Sequence, residues 1–142
     1  MDFKLSKELE MLRKEVRKFA KKQIEPYADQ WDEEHHLPID EVMRPLGELG
    51  YFGTVIPEEY GGEEMGFLAA MIVTEELARA SSSLRVQVNM QVLGCAYTIF
   101  RYGSEVLRKK YVEKLCTAEY IGGFGITEPD AGSDVMAMTS TA

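Results

Sequence analysis

The sequence has few of the features that mark secreted or membrane-spanning proteins. Its 142 residues include two cysteines, Cys95 and Cys116, which favours two buried free thiols over a disulfide framework. The longest uninterrupted apolar run, FLAAMIV, is far shorter than a bilayer-spanning helix. The opening residues MDFKLSKELE are polar and mixed in charge, unlike a signal peptide. We therefore expect a cytoplasmic protein with no membrane span.

Basic residues and histidines are also scarce. Sixteen Lys and Arg against 24 Asp and Glu give a net charge of -8, which repels phosphate backbones and anionic lipid surfaces. The two histidines, His35 and His36, are adjacent and do not share a helix face, and no further ligand is spaced to close a metal site. Nucleic-acid, membrane-surface and metal-binding functions are therefore disfavoured.

Helical periodicity covers most of the chain. Apolar residues spaced by three and four follow Ser6, which predicts a first helix capped by that serine. A second piece runs through Trp31, and further helices are predicted near residues 40–49, 67–79, 84–100 and 105–115, separated by a serine run at 81–83 and by Gly103 and Ser104. The fold class is therefore expected to be mainly α.

The third predicted helix carries two sequence signals that limit it. Met43, Leu46 and Leu49 have the spacing of an inward face, and Gly50 is placed to stop the helix. Pro45 removes a backbone donor inside the same segment. We therefore expect this helix to kink or break.

Near the end of the chain the pattern changes. The stretch EYIGGFGIT predicts a β-strand interrupted by glycines, and EPDAGSD predicts a turn. Glycines weaken a strand unless another backbone or a flat ligand approaches closely. Gly132 and Ser133 offer donors of the kind that hold an anionic oxygen. The alternative is a glycine-bearing strand and a tight turn with no ligand.

Three segments resemble the flavin-dependent acyl-CoA dehydrogenase family. FGITEPDAGSD is similar to its signature, in which Thr-Glu-Pro is followed by a short spacer and Gly-Ser-Asp. PEEYGG at 57–62 resembles a second family loop, and YGSEVLRKKYVEKLCTAEYIGGFGITEP resembles the segment that leads into the flavin strand. The resemblance covers essentially the whole chain, in the family's order.

The resemblance implies a three-part subunit that uses FAD. Residues 1–115 would form the N-terminal helical domain, and residues 116–142 the first strand and turn of the middle β-domain. In the family the flavin strand contacts the isoalloxazine ring, and the corresponding residues here are Phe124, Ile126 and Thr127. Gly132 and Ser133 would lie near the FAD pyrophosphate and the acyl-CoA, so Ser133 is also a predicted substrate contact.

The family reaction removes an α-proton with a glutamate while hydride leaves for the flavin. That glutamate belongs to the family's C-terminal helical bundle, and none of the 24 acidic residues here matches its context. We therefore expect no catalytic base in this chain. Glu128 adjoins the flavin motif, but a glutamate before proline in a turn is more often a cap or a structural contact.

Arg85 is the candidate determinant of the substrate. It stands in the first turn of a largely apolar helix, where a guanidinium needs an anionic partner. From the residues alone, a surface arginine or an internal salt bridge is the alternative. The resemblance to the glutaryl-CoA dehydrogenase branch implies instead that Arg85 binds the distal carboxylate of a glutaryl group, which suits bidentate arginine chemistry.

Two positions depart from that branch. A serine often follows the arginine there, whereas Val86 follows here, and an acidic residue one to two turns earlier is replaced by Ala78. Both changes remove polar groups that would support loss of CO2. These departures favour glutaconyl-CoA as the product, and decarboxylation to crotonyl-CoA is the alternative.

The family also implies partners. An electron-transferring flavoprotein or a similar acceptor would take the electrons, and family members are usually homotetramers. A dehydrogenase for a short monocarboxylic substrate such as butyryl-CoA is the alternative within the family, since a neutral acyl tail has no use for Arg85. The alternative from another class of protein is a non-catalytic helical interaction module that binds no flavin.

Overall fold

Helices supply most of the regular structure of residues 4–141, which the computed structural model describes. They are α1 (Lys7–Gln23), α2 (Ala28–Glu33), α3 (Ile39–Glu48), α4 (Phe67–Ala80), α5 (Ser82–Asn89), α6 (Thr98–Tyr102) and α7 (Glu105–Cys116). A π-helical stretch, Met90–Tyr97, joins α5 to α6 without leaving helical backbone, and 3₁₀ turns cover Glu58–Tyr60 and Val135–Ala137. The mainly helical fold class is confirmed.

Serine hydroxyls cap three of the helices. Each accepts a hydrogen bond from the amide three residues later, which satisfies a donor that the helix leaves free. The oxygen–nitrogen distances are 3.2 Å for Ser6 with Leu9, 3.2 Å for Ser81 with Leu84 and 3.4 Å for Ser104 with Leu107. The predicted start at Ser6 and the cap within the serine run are therefore confirmed.

The buried side chains form two clusters. The larger cluster lies between α1, α3, α4 and α5 and includes Val16, Met43, Leu77 and Leu84. The smaller cluster joins the π-helical stretch to α7 and contains both cysteines. Cys95 and Cys116 are free and buried, as predicted, and burial raises the pKa of the Cys116 thiol to about 12.

The prediction for α3 was partly wrong. Met43 and Leu46 are fully buried, and Gly50 follows the helix with φ of 74°, a conformation that glycine adopts without strain. Leu49 is 51% exposed because it lies just beyond the last helical residue and leaves the inward face. The helix also continues through Pro45 to Glu48, so the expected break does not occur.

The strand predicted over residues 119–127 is not formed among the described residues. The segment has no regular secondary structure, and the described β-pairing is an isolated bridge between Glu128 and Ala131. A strand is defined by its partner, and a single one is not stable alone. Within residues 4–141 no helix combines the length and the apolarity needed to span a membrane. The division at residue 115 stays a prediction.

Candidate functional site

A buried glutamine holds the start of the glycine-rich segment. Gln91 is completely buried in the π-helical stretch. Its Nε2 donates to the carbonyl oxygens of Leu115 at 2.7 Å and Tyr120 at 2.8 Å, and its Oε1 accepts from the amide of Gly122 at 2.8 Å. Three hydrogen bonds from one side chain therefore connect this helix to the backbone that leads out of α7.

Gly122 lies directly against Cys95, which is on the same helix as Gln91. A Cβ atom at Gly122 would stand 2.5 Å from both the Cβ and the Sγ of Cys95, so a larger residue does not fit. The Cys95 thiol also lies 3.7 Å from the carbonyl oxygen of Gly123, in donor geometry. The Cys95 side chain therefore explains this glycine, whereas the sequence had suggested the approach of another backbone or of a flat ligand.

Beyond Gly122 the segment is open. Added Cβ atoms at Gly123 and Gly125 would meet nothing within 4 Å, and Phe124 and Ile126 are 54% and 36% exposed. None of the amides from Gly123 to Thr127 donates a hydrogen bond to another described residue. This row of unpaired backbone donors with free space around it fits a flat ligand edge that accepts hydrogen bonds.

Glu128 closes the turn that follows. Its amide donates to the carbonyl of Ala131 at 2.9 Å, and its carboxylate accepts from the amides of Thr139 and Ser140, each at 2.9 Å. The hydrogen bonds from Ser140 and Thr139 lower the pKa of Glu128 to about 2. A carboxylate so stabilised is a weak base, and its hydrogen bonds serve to connect this turn to Thr139 and Ser140.

Gly132 and Ser133 lie on the exposed outer part of this turn. A Cβ at Gly132 would meet nothing within 4 Å, and Ser133 is exposed. Neither amide, nor the Ser133 hydroxyl, donates to another described residue. The turn therefore leaves its donors available to an anionic group.

Arg85 is half-buried in the first turn of α5. Its amide donates to the carbonyl of Ser81 at 3.2 Å, which fixes the backbone there. Its guanidinium forms no ion pair with any residue in 4–141, whereas the neighbouring Val86 is 44% exposed. The internal salt bridge considered for Arg85 is therefore not seen in the described structure.

The structure connects two of the predicted site elements through an unpredicted residue. Arg85 and Gln91 lie on one continuous helix, and Gln91 binds the segment that carries Phe124, Ile126 and Thr127. No hydrogen bond or ion pair within residues 4–141 joins Arg85 directly to that segment. The sequence held a signal for Gln91, because a polar residue stands at a core position of the Leu84, Val88 and Val92 face.

The histidines end a short helix. His35 follows α2 with φ of 50° in the left-handed region, and His36 is exposed. Across residues 4–141 no three His, Cys, Asp or Glu side chains come together as a possible metal site.

Comparison with known proteins identifies the family of the chain. The family described as "Acyl-CoA dehydrogenase, N-terminal domain" matches residues 6–119. The chain belongs to the acyl-CoA dehydrogenase family. It is 74% identical over 144 aligned residues to a glutaryl-CoA dehydrogenase of Desulfococcus multivorans, covering 100% of this chain and 37% of that protein.

Two further relatives show the range of similarity. A short-chain-specific acyl-CoA dehydrogenase of Clostridium acetobutylicum is 35% identical over 142 residues, covering 100% of this chain and 37% of the relative. Among solved structures, a glutaryl-coenzyme A dehydrogenase in complex with glutaryl-CoA superimposes with a TM-score of 0.94 at 73% identity, over 98% of this chain and 36% of that one. The chain thus spans about 37% of the length of these curated relatives.

Proposed function

We propose that this chain is the N-terminal part of an FAD-dependent acyl-CoA dehydrogenase that desaturates the α,β bond of glutaryl-CoA. The observation that carries this proposal is the 74% identity to a glutaryl-CoA dehydrogenase along the whole chain, against 35% for a short-chain-specific family member. Residues 1–115 would supply the helical domain, and residues 116–142 the start of the middle domain.

The open segment fits the cofactor. The amides of Phe124 and Ile126 and the hydroxyl of Thr127 would hydrogen-bond the flavin ring, since they are exposed and unpaired in the described structure. Gly132 and Ser133 would hold the pyrophosphate and the acyl-CoA with the free donors of their turn. FAD, when bound, would supply the hydride acceptor, and the donors of Phe124, Ile126 and Thr127 near its ring would stabilise the negative charge that develops.

Arg85 would bind the distal carboxylate of the substrate. A half-buried guanidinium without an internal ion pair gains most from a bidentate carboxylate, and a neutral acyl tail offers none. Val86 beside it and Ala78 on α4 replace polar residues of the glutaryl-CoA dehydrogenase branch that could support decarboxylation. Glutaconyl-CoA is therefore the proposed product, and crotonyl-CoA formation would contradict that choice.

The remaining parts of the proposal come from the family. The catalytic glutamate would lie in the family's C-terminal helical bundle of the full-length polypeptide. Glu128 is not a candidate for this base, because its carboxylate already accepts hydrogen bonds from two backbone amides. A homotetramer in the cytoplasm, with an electron-transferring flavoprotein or similar acceptor as partner, completes the assignment.

Anaerobic titration of the full-length flavoprotein tests the substrate. We expect glutaryl-CoA to bleach the flavin absorbance at concentrations where butyryl-CoA has little effect. Replacing Arg85 with Gln should raise the half-saturating concentration of glutaryl-CoA by about 30-fold, equivalent to about 2 kcal/mol. Arg101→Gln is the matched control, because Arg101 is exposed and has no ion pair in the described structure.

The same titration separates the alternatives. Equal or better bleaching by butyryl-CoA, unchanged by Arg85→Gln, would make this a short-chain monocarboxylic dehydrogenase. A colourless full-length preparation that takes up no FAD would favour the non-catalytic helical module.

A further inference from the structure

We propose that Gln91 is a positioning residue that sets the register between the helix carrying Arg85 and the flavin-contacting amides of residues 123–127. This inference rests on the proposed function, because it assigns Gln91 a task in that reaction. Gln91 itself touches neither the substrate nor the ring in this assignment. It acts through the backbone of Tyr120 and Gly122.

All three hydrogen bonds of the Gln91 side chain go to one stretch of backbone. Both acceptors and the single donor belong to the backbone between the end of α7 and the glycine-rich segment, at 2.7–2.8 Å. A completely buried amide is costly unless its polar atoms are paired, and here each has a partner. Packing alone does not call for glutamine at this position, since an apolar residue of the same size would fill it.

The local helix geometry also points to the segment. Gln91 and Cys95 both lie in the π-helical stretch Met90–Tyr97, and both contact the backbone of Gly122 or Gly123. A π-helical stretch is less stable than α-helix and commonly occurs at functional sites. Here it brings two side chains of one helix against the segment just before its open amides.

The connection has a consequence for the chemistry. Gln91 follows Arg85 by roughly 9 Å along the same helix axis. A substrate held by its carboxylate at Arg85 therefore meets the flavin at a position that depends on how the segment is fixed to this helix. A misplacement of about 1 Å can slow a reaction about a hundredfold. Gln91 would fix that position.

Gln91→Met in the full-length flavoprotein is the first test. Met has similar size but forms none of the three hydrogen bonds. We expect the rate of flavin reduction per bound flavin to fall between about 10- and 100-fold, while the half-saturating glutaryl-CoA concentration, set by Arg85, changes less than about threefold. The control is Thr54→Val, which removes a buried hydroxyl that has no partner in the described structure.

Gln91→Glu gives a readout that simple loss of stability cannot imitate. The introduced carboxyl, when protonated, can still donate to one carbonyl, whereas its ionised form faces two carbonyl oxygens. The flavin reduction rate of this variant should therefore be higher at low pH and fall as the new carboxyl ionises. Wild type, which carries the neighbouring titratable groups Cys95, Cys116 and Tyr120, should lack this step.

Hydrogen exchange decides the point independently of activity. In both Gln91 variants the Gly122 amide should exchange faster, with no such change in Thr54→Val. Reduction rates within about twofold of wild type, with no new ionisation in Gln91→Glu, would overturn the inference. If wild type is not reduced by any acyl-CoA, the proposed function fails instead, and unchanged exchange at Gly122 would show that the connection itself is absent.

Discussion

At the scale of single residues, Glu76 on α4 is the charged side chain buried in the described core. Its side chain is completely buried, yet it carries a charge that needs partners. Arg17 of α1 supplies two hydrogen bonds of 2.7 Å, and Arg13 and Arg79 approach to 3.8 and 3.7 Å. The Arg17 hydrogen bond is the main cause that lowers the pKa of Glu76. These contacts connect α1 to α4.

Replacing Glu76 with Gln should therefore lower the free energy of unfolding. We expect a loss of about 2–3 kcal/mol, because Gln has no charge and can accept only one of the two hydrogen bonds that Arg17 donates to Glu76. Glu75→Gln is the matched control, since Glu75 lies next to it but is half-exposed and pairs with Arg79 on the surface. Its expected effect is below about 0.5 kcal/mol. Urea unfolding measures both, and equal losses would contradict this account of Glu76.

The same pair of variants gives a pH dependence with a definite sign. The pKa of Glu76 is lowered in the folded state. Its charge therefore stabilises the fold fully at pH values above the ordinary glutamate pKa of about 4.3, and this stabilisation is lost as pH falls through the lower folded pKa. The stability difference between wild type and Glu76→Gln should be constant between about pH 6 and 8. It should shrink as pH falls below about 4 and through the lowered folded pKa of Glu76, and a difference that does not change with pH down to acid unfolding would argue against an ionised Glu76.

At the scale of elements, Ser81 serves two helices at once. Its extended backbone ends α4, where its amide donates to the Leu77 carbonyl at 3.0 Å. Its hydroxyl then caps α5. Arg85 lies in the turn that this cap orders, so a packing element and a proposed substrate contact share one support.

Loss of that cap should loosen the start of α5. We expect Ser81→Ala to cost about 1 kcal/mol and to speed hydrogen exchange at the amides of the first turn of α5. Ser83→Ala is the control, because Ser83 is an exposed residue inside the helix, where alanine is slightly favoured. Exchange at residues 84–86 that is the same in both variants would show that the cap contributes little.

The sequence predicted those elements whose signals are local. Spacing and serine caps located the long helices, and chain punctuation located the turn at 128–134. The π-helical stretch was missed because the spacing of apolar residues does not distinguish it from an α-helix, and its contacts through Gln91 and Cys95 are with a segment far along the chain. The strand predicted over 119–127 was wrong because pairing requires a second strand, which the sequence pattern cannot show.

At the scale of the whole molecule, the candidate site could be predicted only in part. The family motifs pointed to Thr127, Gly132 and Ser133, and the position of Arg85 pointed to a carboxylate. Nothing in the spacing indicated that a side chain of the Arg85 helix binds the backbone before Phe124. Sequence motifs mark residues that meet a ligand, whereas the residues that hold them in place are apparent only from three-dimensional contacts.

Helix α3 packs on the residues that follow α7, and Gly47 makes that approach possible. A Cβ at Gly47 would lie 2.5 Å from the Thr117 carbonyl oxygen and 2.9 Å from the Ala118 Cβ. Since backbone cannot yield like a flexible side chain, we expect Gly47→Ala to destabilise by about 2–3 kcal/mol. At Gly94 the nearest atom is the flexible Met90 Sδ at 3.3 Å, so Gly94→Ala should change stability by less than about 1 kcal/mol.

Thermal unfolding of the two variants tests this packing. Hydrogen exchange at the Gly122 amide tests whether the packing also affects the candidate site. Thr117 and Ala118 lie between Leu115 and Tyr120, whose carbonyls Gln91 binds. Displacing them in Gly47→Ala should therefore weaken the Gln91 contacts and speed exchange at Gly122, whereas Gly94→Ala should not. Stability and exchange that match wild type in Gly47→Ala would show that α3 and α7 separate at little cost, so the site would not depend on this contact.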